Sequence, residues 1–133
     1  MNFENLEQLH LFWNKISDIK IFEKVNFRKL KGLVLDCNYI SDINVLSKVK
    51  FEKLEILSLS FNRISDINVL EKVNFKNLKQ LNLGINKISD ISVFEKIIFD
   101  KLKILCLQEN VIDIYDNALL LMYLSEKIEE LKF

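Results

Sequence analysis

The sequence predicts an α/β solenoid made of five stacked copies of one strand-and-turn unit. Three observations carry this. The copies open 24 residues apart, on Asn2-Phe3, Asn26-Phe27, Lys50-Phe51, Asn74-Phe75 and Ile98-Phe99. After each Phe the same pattern follows, Leu-x-x-Leu-x-Leu-x-x-Asn-x-Ile, with no gap through residue 112. There is no Pro and there are only two Gly, Gly32 and Gly84, so no flexible linker or Gly-rich phosphate loop interrupts the series. A fixed period of this size marks a stack in which each unit buries its apolar face against its neighbours.

The third copy, 50–73, shows how one unit is built. Leu57-x-Leu59 alternates as a strand does, with both leucines inward and Ser58 and Ser60 outward. Asn62 recurs as Asn14, Asn38, Asn86 and Asn110. A polar residue repeated at an inward corner must satisfy backbone groups there, so these five are expected to form an asparagine ladder behind the strands. Ile67, Leu70 and Val73 then share one face of a helical turn, which Ser65 or Asp66 can cap. Phe75 closes the unit and opens the next.

The last copy departs from the pattern. Asn110-Val111-Ile112-Asp113-Ile114 lacks one residue of the usual Ser-Asp pair. Asp116 or Asn117 can cap a longer helix over 118–127, and Ile128-x-x-Leu131-x-Phe133 imitates the start of a sixth strand. Residues 1–133 therefore read as a single domain, with repeats starting at 2, 26, 50, 74 and 98 and a cap over about 116–133 that closes the stack. The first strand, around Leu9 and Leu11, has no such cap, and an open apolar edge invites pairing with another chain.

This residue pattern resembles the leucine-rich repeat family. Leu6, Leu9, Leu11, Asn14 and Ile16 match its signature, as do the corresponding residues of 30–40, 54–64, 78–88 and 102–112. The Ile-Ser-Asp-Ile continuation is similar to the short-repeat class of phosphatase-regulator-type and internalin-type proteins. The resemblance implies a curved, right-handed superhelix with a parallel sheet on the concave face and short helices on the convex face. It also implies a protein-binding role without selecting a regulatory, adhesion or effector version of it.

Composition narrows the function. Lys plus Arg and Asp plus Glu each total 19, so the net charge is zero and no polyanion is implied as a partner. Hydrophobic residues reach 50%, enough for a large core and against disorder. The longest apolar run, 118–124, is too short to span a bilayer. No secretory signal precedes the first repeat in these residues. At about 4.8 Å per strand step, Cys37 and Cys106 fall roughly 14 Å apart. A disulfide needs Cα atoms within about 7 Å, so free thiols in a reducing, intracellular and cytoplasmic setting are expected.

With the scaffold subtracted, the outward strand positions remain. The proposed contact set is His10, Phe12, Trp13, Val34, Asp36, Tyr39, Ser58, Ser60 and Phe61. Exposed aromatics near the centre of such a face are typical binding anchors. Trp13 keeps a second reading, because its counterparts Cys37, Phe61 and Ile85 are also apolar and the column could be half-buried packing. Phe12 and Trp13 could also cover the first edge or mediate self-association, giving a homodimer. Asp18, Asp42, Asp66 and Asp90 form a column read as turn caps rather than metal ligands. Lys24, Lys48, Lys72 and Lys96, beside Glu23, Glu71 and Glu95, read as a solvated face. Lys15, Arg63 and Lys87, interrupted by Tyr39, make a basic stripe too thin for nucleic acid. His10 is the only histidine, and nothing orients it for catalysis. No enzyme activity, cofactor or metal is expected, and no membrane or nucleic-acid partner; another protein is the expected partner.

Overall fold

The computed structural model describes residues 3–97 and 99–133. Asn2 and Ile98, expected to open the first and fifth copies, lie outside them. Six short strands form one sheet: β1 (Gln8–His10), β2 (Gly32–Val34), β3 (Ile56–Ser58), β4 (Gln80–Asn82), β5 (Ile104–Cys106) and β6 (Glu130–Lys132). Every neighbouring pair is parallel and in sequence order. The register advances 24 residues per strand, as in Leu33↔Leu57, and 26 in the last step, Leu105↔Leu131. The molecule is thus an α/β leucine-rich-repeat-type solenoid with an open sheet.

The expected short helices on the far side are mostly 3₁₀ turns, at Lys20–Lys24, Asn44–Ser47 and Asn68–Lys72. Only the fourth, α1 (Val93–Lys96), is α-helical. Such segments are a single turn rich in β-branched residues and Asn, too short to gain from α-helical cooperativity. Each is opened by the aspartate column. Asp18, Asp42, Asp66 and Asp90 accept from the N–H two residues on, at 2.8, 2.9, 2.8 and 2.8 Å. In the last copy Asp113 takes this task, accepting from the N–H groups of Tyr115 and Asp116. Neither Asp116 nor Asn117 caps α2 (Ala118–Lys127) as expected; the Asn117 side chain donates back to the Asp113 carbonyl instead.

Two internal ladders hold the stack. Phe3, Phe27, Phe51, Phe75 and Phe99 run through it with ring centroids 5.5–6.5 Å apart. Inward leucines and isoleucines between them, such as Leu33, Leu57, Leu81 and Ile64, are fully buried. Each such side chain contributes about 1.5–3 kcal/mol relative to exposure. Asparagines form the second ladder. The Asn38 amide donates to the carbonyls of Leu35, Asp36 and, across the repeat boundary, Leu11, while its Oδ1 accepts from the Ile16 N–H. Asn62, Asn86 and Asn110 repeat this arrangement.

Candidate binding surface

The residue before each ladder asparagine has a left-handed backbone. Trp13, Cys37, Phe61, Ile85 and Glu109 have φ of 52–58°, and none is glycine. The asparagine that follows draws the carbonyls of the preceding residues toward one amide, which forces a sharp turn out of the strand. A bulky or β-branched side chain there costs roughly 1–2 kcal/mol of backbone strain. Sequence reasoning missed this, because the usual signal for such a turn is Gly or Asn at that position.

The sheet carries the predicted contact residues in columns. Phe12, Asp36, Ser60, Gly84 and Gln108 form one, and the left-handed residues form the next. Backbone bonds lock the two together: the Trp13 N–H donates to the Asp36 carbonyl, Cys37 to Ser60 and Phe61 to Gly84, each at 3.0 Å. Phe12, Trp13 and Phe61 are exposed, by 52, 78 and 54%. Trp13 and Phe61 therefore do not lie in half-buried packing, unlike Cys37 and Ile85 of the same column.

The remaining predicted residues divide. His10, Val34 and Ser58 pair in register as a third column. His10 is exposed and Val34 half-buried, but Ser58 is buried although it faces outward. Its hydroxyl donates to Asp36 Oδ1 at 2.6 Å, and the same oxygen accepts from the Ser60 N–H at 2.8 Å. Ser58 thus orients Asp36 and presents little surface itself. Tyr39 lies beyond the ladder, with the Arg63 guanidinium 4.4 Å from its ring centroid. That contact places both on a rim rather than on the strands.

A stripe of alternating charge borders the strand starts. Lys31 Nζ pairs with Glu7 at 2.9 Å and Lys79 with Glu55 at 2.8 Å. The bonded ammonium holds the Glu7 and Glu55 carboxyls below the ordinary glutamate value, and Glu7 raises Lys31. On the opposite side, Lys48 and Lys96 reach Glu23 and Glu71, as a solvated mixed-charge face should. Among the described residues no His, Cys, Asp and Glu cluster has the makings of a metal site, and no helix is long and apolar enough to cross a membrane. Cys37 and Cys106 are free.

A second exposed apolar area also escaped the sequence reading. Leu120, Leu121 and Leu124 of α2 are buried, but Leu119 and Met122 are exposed, as are Ile114, Tyr115 and Phe133. Tyr115, Met122 and Phe133 border a shallow hollow of about 320 Å³. The outer side of α2 therefore presents apolar rather than polar residues. The available signal was a helix apolar on all sides, Ala118-Leu-Leu-Leu-Met-Tyr-Leu124.

Residues 52–96 match the family described as Leucine Rich repeats (2 copies), and residues 4–19 match the one described as Leucine Rich repeat. The chain is built of leucine-rich repeats. Its repeats are of the internalin type. The crystal structure of an internalin C2 from Listeria monocytogenes superposes with a TM-score of 0.72 at 27% identity, covering 97% of this chain and 52% of that one. The crystal structure of an internalin (inlF) from the same organism gives 0.53 at 28% identity, covering 80% and 36%. This leucine-rich repeat chain thus spans about half the length of the first protein and about a third of the second. No curated protein matches it in sequence. Family and relatives together mark the chain, in general terms, as a protein-interaction module of a typically non-enzymatic kind.

Proposed function

We propose that the chain binds a protein partner through the outward face of its parallel sheet, with Phe12, Trp13 and Phe61 as anchors around Asp36 and Ser60. The observation that carries this is Trp13. It has a left-handed backbone at φ 56° and is 78% exposed, so strain at this position is not offset by burial. Phe61 repeats the combination two strands away. Large aromatics held rigidly in water supply contact area at little ordering cost on binding. A protein rather than a polyanion suits a chain of zero net charge. The intracellular, reducing location expected of unpaired thiols belongs to the same proposal, and fractionation of the source cells checks it.

The test compares proteins retained by wild type with those retained by a Phe12→Ala/Trp13→Ala variant of equal folded content. The variant is expected to lose the specific partner. Equal recovery by both removes the aromatic patch from the proposal.

A second reading is self-association through the β1 end. Leu6, Leu9, Leu11 and Ile16 are only half-buried, whereas their counterparts Leu30, Leu33, Leu35 and Ile40 are fully buried. Sedimentation at rising concentration decides it: a mass that stays monomeric counts against a homodimer.

A further inference from the structure

We infer that the sheet face recognises a cationic side chain, a lysine or arginine of a peptide segment, at Asp36. This rests on the binding face proposed above and names the chemistry that the face selects.

The strand stretches 8–13, 32–37, 56–61 and 80–85 contain one carboxylic residue, Asp36, no Lys or Arg, and the single histidine, His10. The fifth stretch, 104–109, adds only Glu109. A chain with 19 cationic and 19 acidic residues has therefore placed no Lys or Arg on these five strand segments. The sixth strand adds Glu130 and Lys132, which pair with each other at 2.6 Å, so the sheet stays net negative and the complement is a cation.

The geometry of Asp36 suits that complement. Oδ1 is held by the Ser58 hydroxyl at 2.6 Å and the Ser60 N–H at 2.8 Å. Both donors are neutral, and Oδ2 has no partner among the described residues. The group is half-buried, which lessens the screening of its charge by water. It is fixed in one orientation before any ligand arrives, so little ordering is needed on binding. Phe12 precedes it in the same column, and the Trp13 backbone N–H donates to the Asp36 carbonyl. Aromatic faces beside a carboxylate attract a guanidinium or ammonium through the ring quadrupole, and the carboxylate supplies the charge-assisted hydrogen bond.

The probes are acetyl-Gly-Gly-Arg-Gly-Gly-amide and the same peptide with Lys, Gln or Glu at the centre. Each is titrated into the full chain and followed by amide chemical shifts and by the fluorescence of Trp13, the only Trp. Arg and Lys peptides are expected to perturb Asp36, Ser60 and Trp13 saturably, more weakly as salt rises, with the Gln and Glu peptides much weaker. In Asp36→Asn, which keeps an acceptor oxygen for Ser58 and Ser60, Arg affinity should fall roughly tenfold. Equal responses to the Arg and Gln peptides, or no response, overturn the inference; so does an Asp36→Asn variant that binds Arg unchanged. Panning a displayed random 12-residue library on the chain separates the two proposals. Peptides that compete at Trp13 but lack basic residues leave the binding face standing and remove the cation. If no peptide engages Trp13, the face itself falls, and the inference with it.

Discussion

The side-chain amide of Asn62 donates across a repeat boundary to the carbonyl oxygen of Leu35, 3.0 Å away. The same amide holds the Leu59 and Ser60 carbonyls, and its Oδ1 takes the Ile40 N–H at 2.9 Å. One buried side chain thus satisfies four backbone groups from two repeats. Asn62→Ala leaves the Ile40 N–H without its partner away from water, while the Leu35, Leu59 and Ser60 carbonyls keep the Asn38 amide, the Asn86 amide and the Cys37 N–H; a loss of about 1–3 kcal/mol is expected. Asn14 makes only two such bonds and is exposed, so Asn14→Ala should cost under about 1 kcal/mol. Urea denaturation of both variants checks the contrast. Equal losses would show that the cross-repeat bonds contribute nothing.

Trp13 sets stability against binding. Trp13→Gly removes left-handed strain and gives up little burial, since the side chain is mostly exposed. Added flexibility of the unfolded chain offsets part of the gain. A net change between zero and about +1 kcal/mol is expected, together with weaker partner binding. A thermal melt and a pull-down on the same sample read both. A clear loss of stability would mean that the indole packs on the scaffold after all.

Phe51 lies in the middle of the aromatic ladder, 6.0 Å from both Phe27 and Phe75, and is buried. Phe51→Ala opens a cavity between two repeats and should cost about 3–5 kcal/mol. Phe99→Ala, at a half-buried position, should cost less. A calorimetric scan showing equal shifts in Tm for the two would contradict the ladder's role.

The alternating stripe predicts a pH dependence. Hydrogen bonds from Lys31 and Lys79 depress the Glu7 and Glu55 carboxyls in the folded protein. A depressed carboxyl contributes stability above its unfolded value and loses it as the pH falls through the folded value. Asp90, lowered by bonds from the Ser92 side chain and N–H, acts in the same direction. The denaturation midpoint should therefore fall as the pH drops below about 4.5. The fall should be shallower in Glu7→Gln/Glu55→Gln, and salt should flatten it in wild type, because both carboxylates are exposed. An identical acid limb in the double variant would rule these pairs out as its source.

Most of the fold was legible because a repeated position meets the same surroundings in every copy. Leu57, Asn62, Asp66 and Phe75 each recur, so periodicity exposes their roles in packing, laddering, capping and stacking. The binding surface was legible only in outline, since its residues are the ones that do not recur. Phe12, Trp13 and Phe61 could be named as outward aromatics, but Ser58 could not be told from Ser60. One is buried under Asp36, 22 residues away, and the other is half-exposed. Nor did the sequence show that the outer side of α2 stays apolar and uncovered.

The sequence by itself determined that the chain stacks, which residues point inward, and that the asparagines bridge the turns. These are short-range, repeating demands of packing and of backbone hydrogen bonding, and each copy states them in full. Only the tertiary structure decided the burial of Ser58, the fixing of Asp36 by Ser58 and Ser60, and the exposure of Trp13 and Phe61 beside the half-buried Cys37 and Ile85. Each of these depends on which unlike residues adjacent repeats bring together across a strand step, and no repeat contains that information alone.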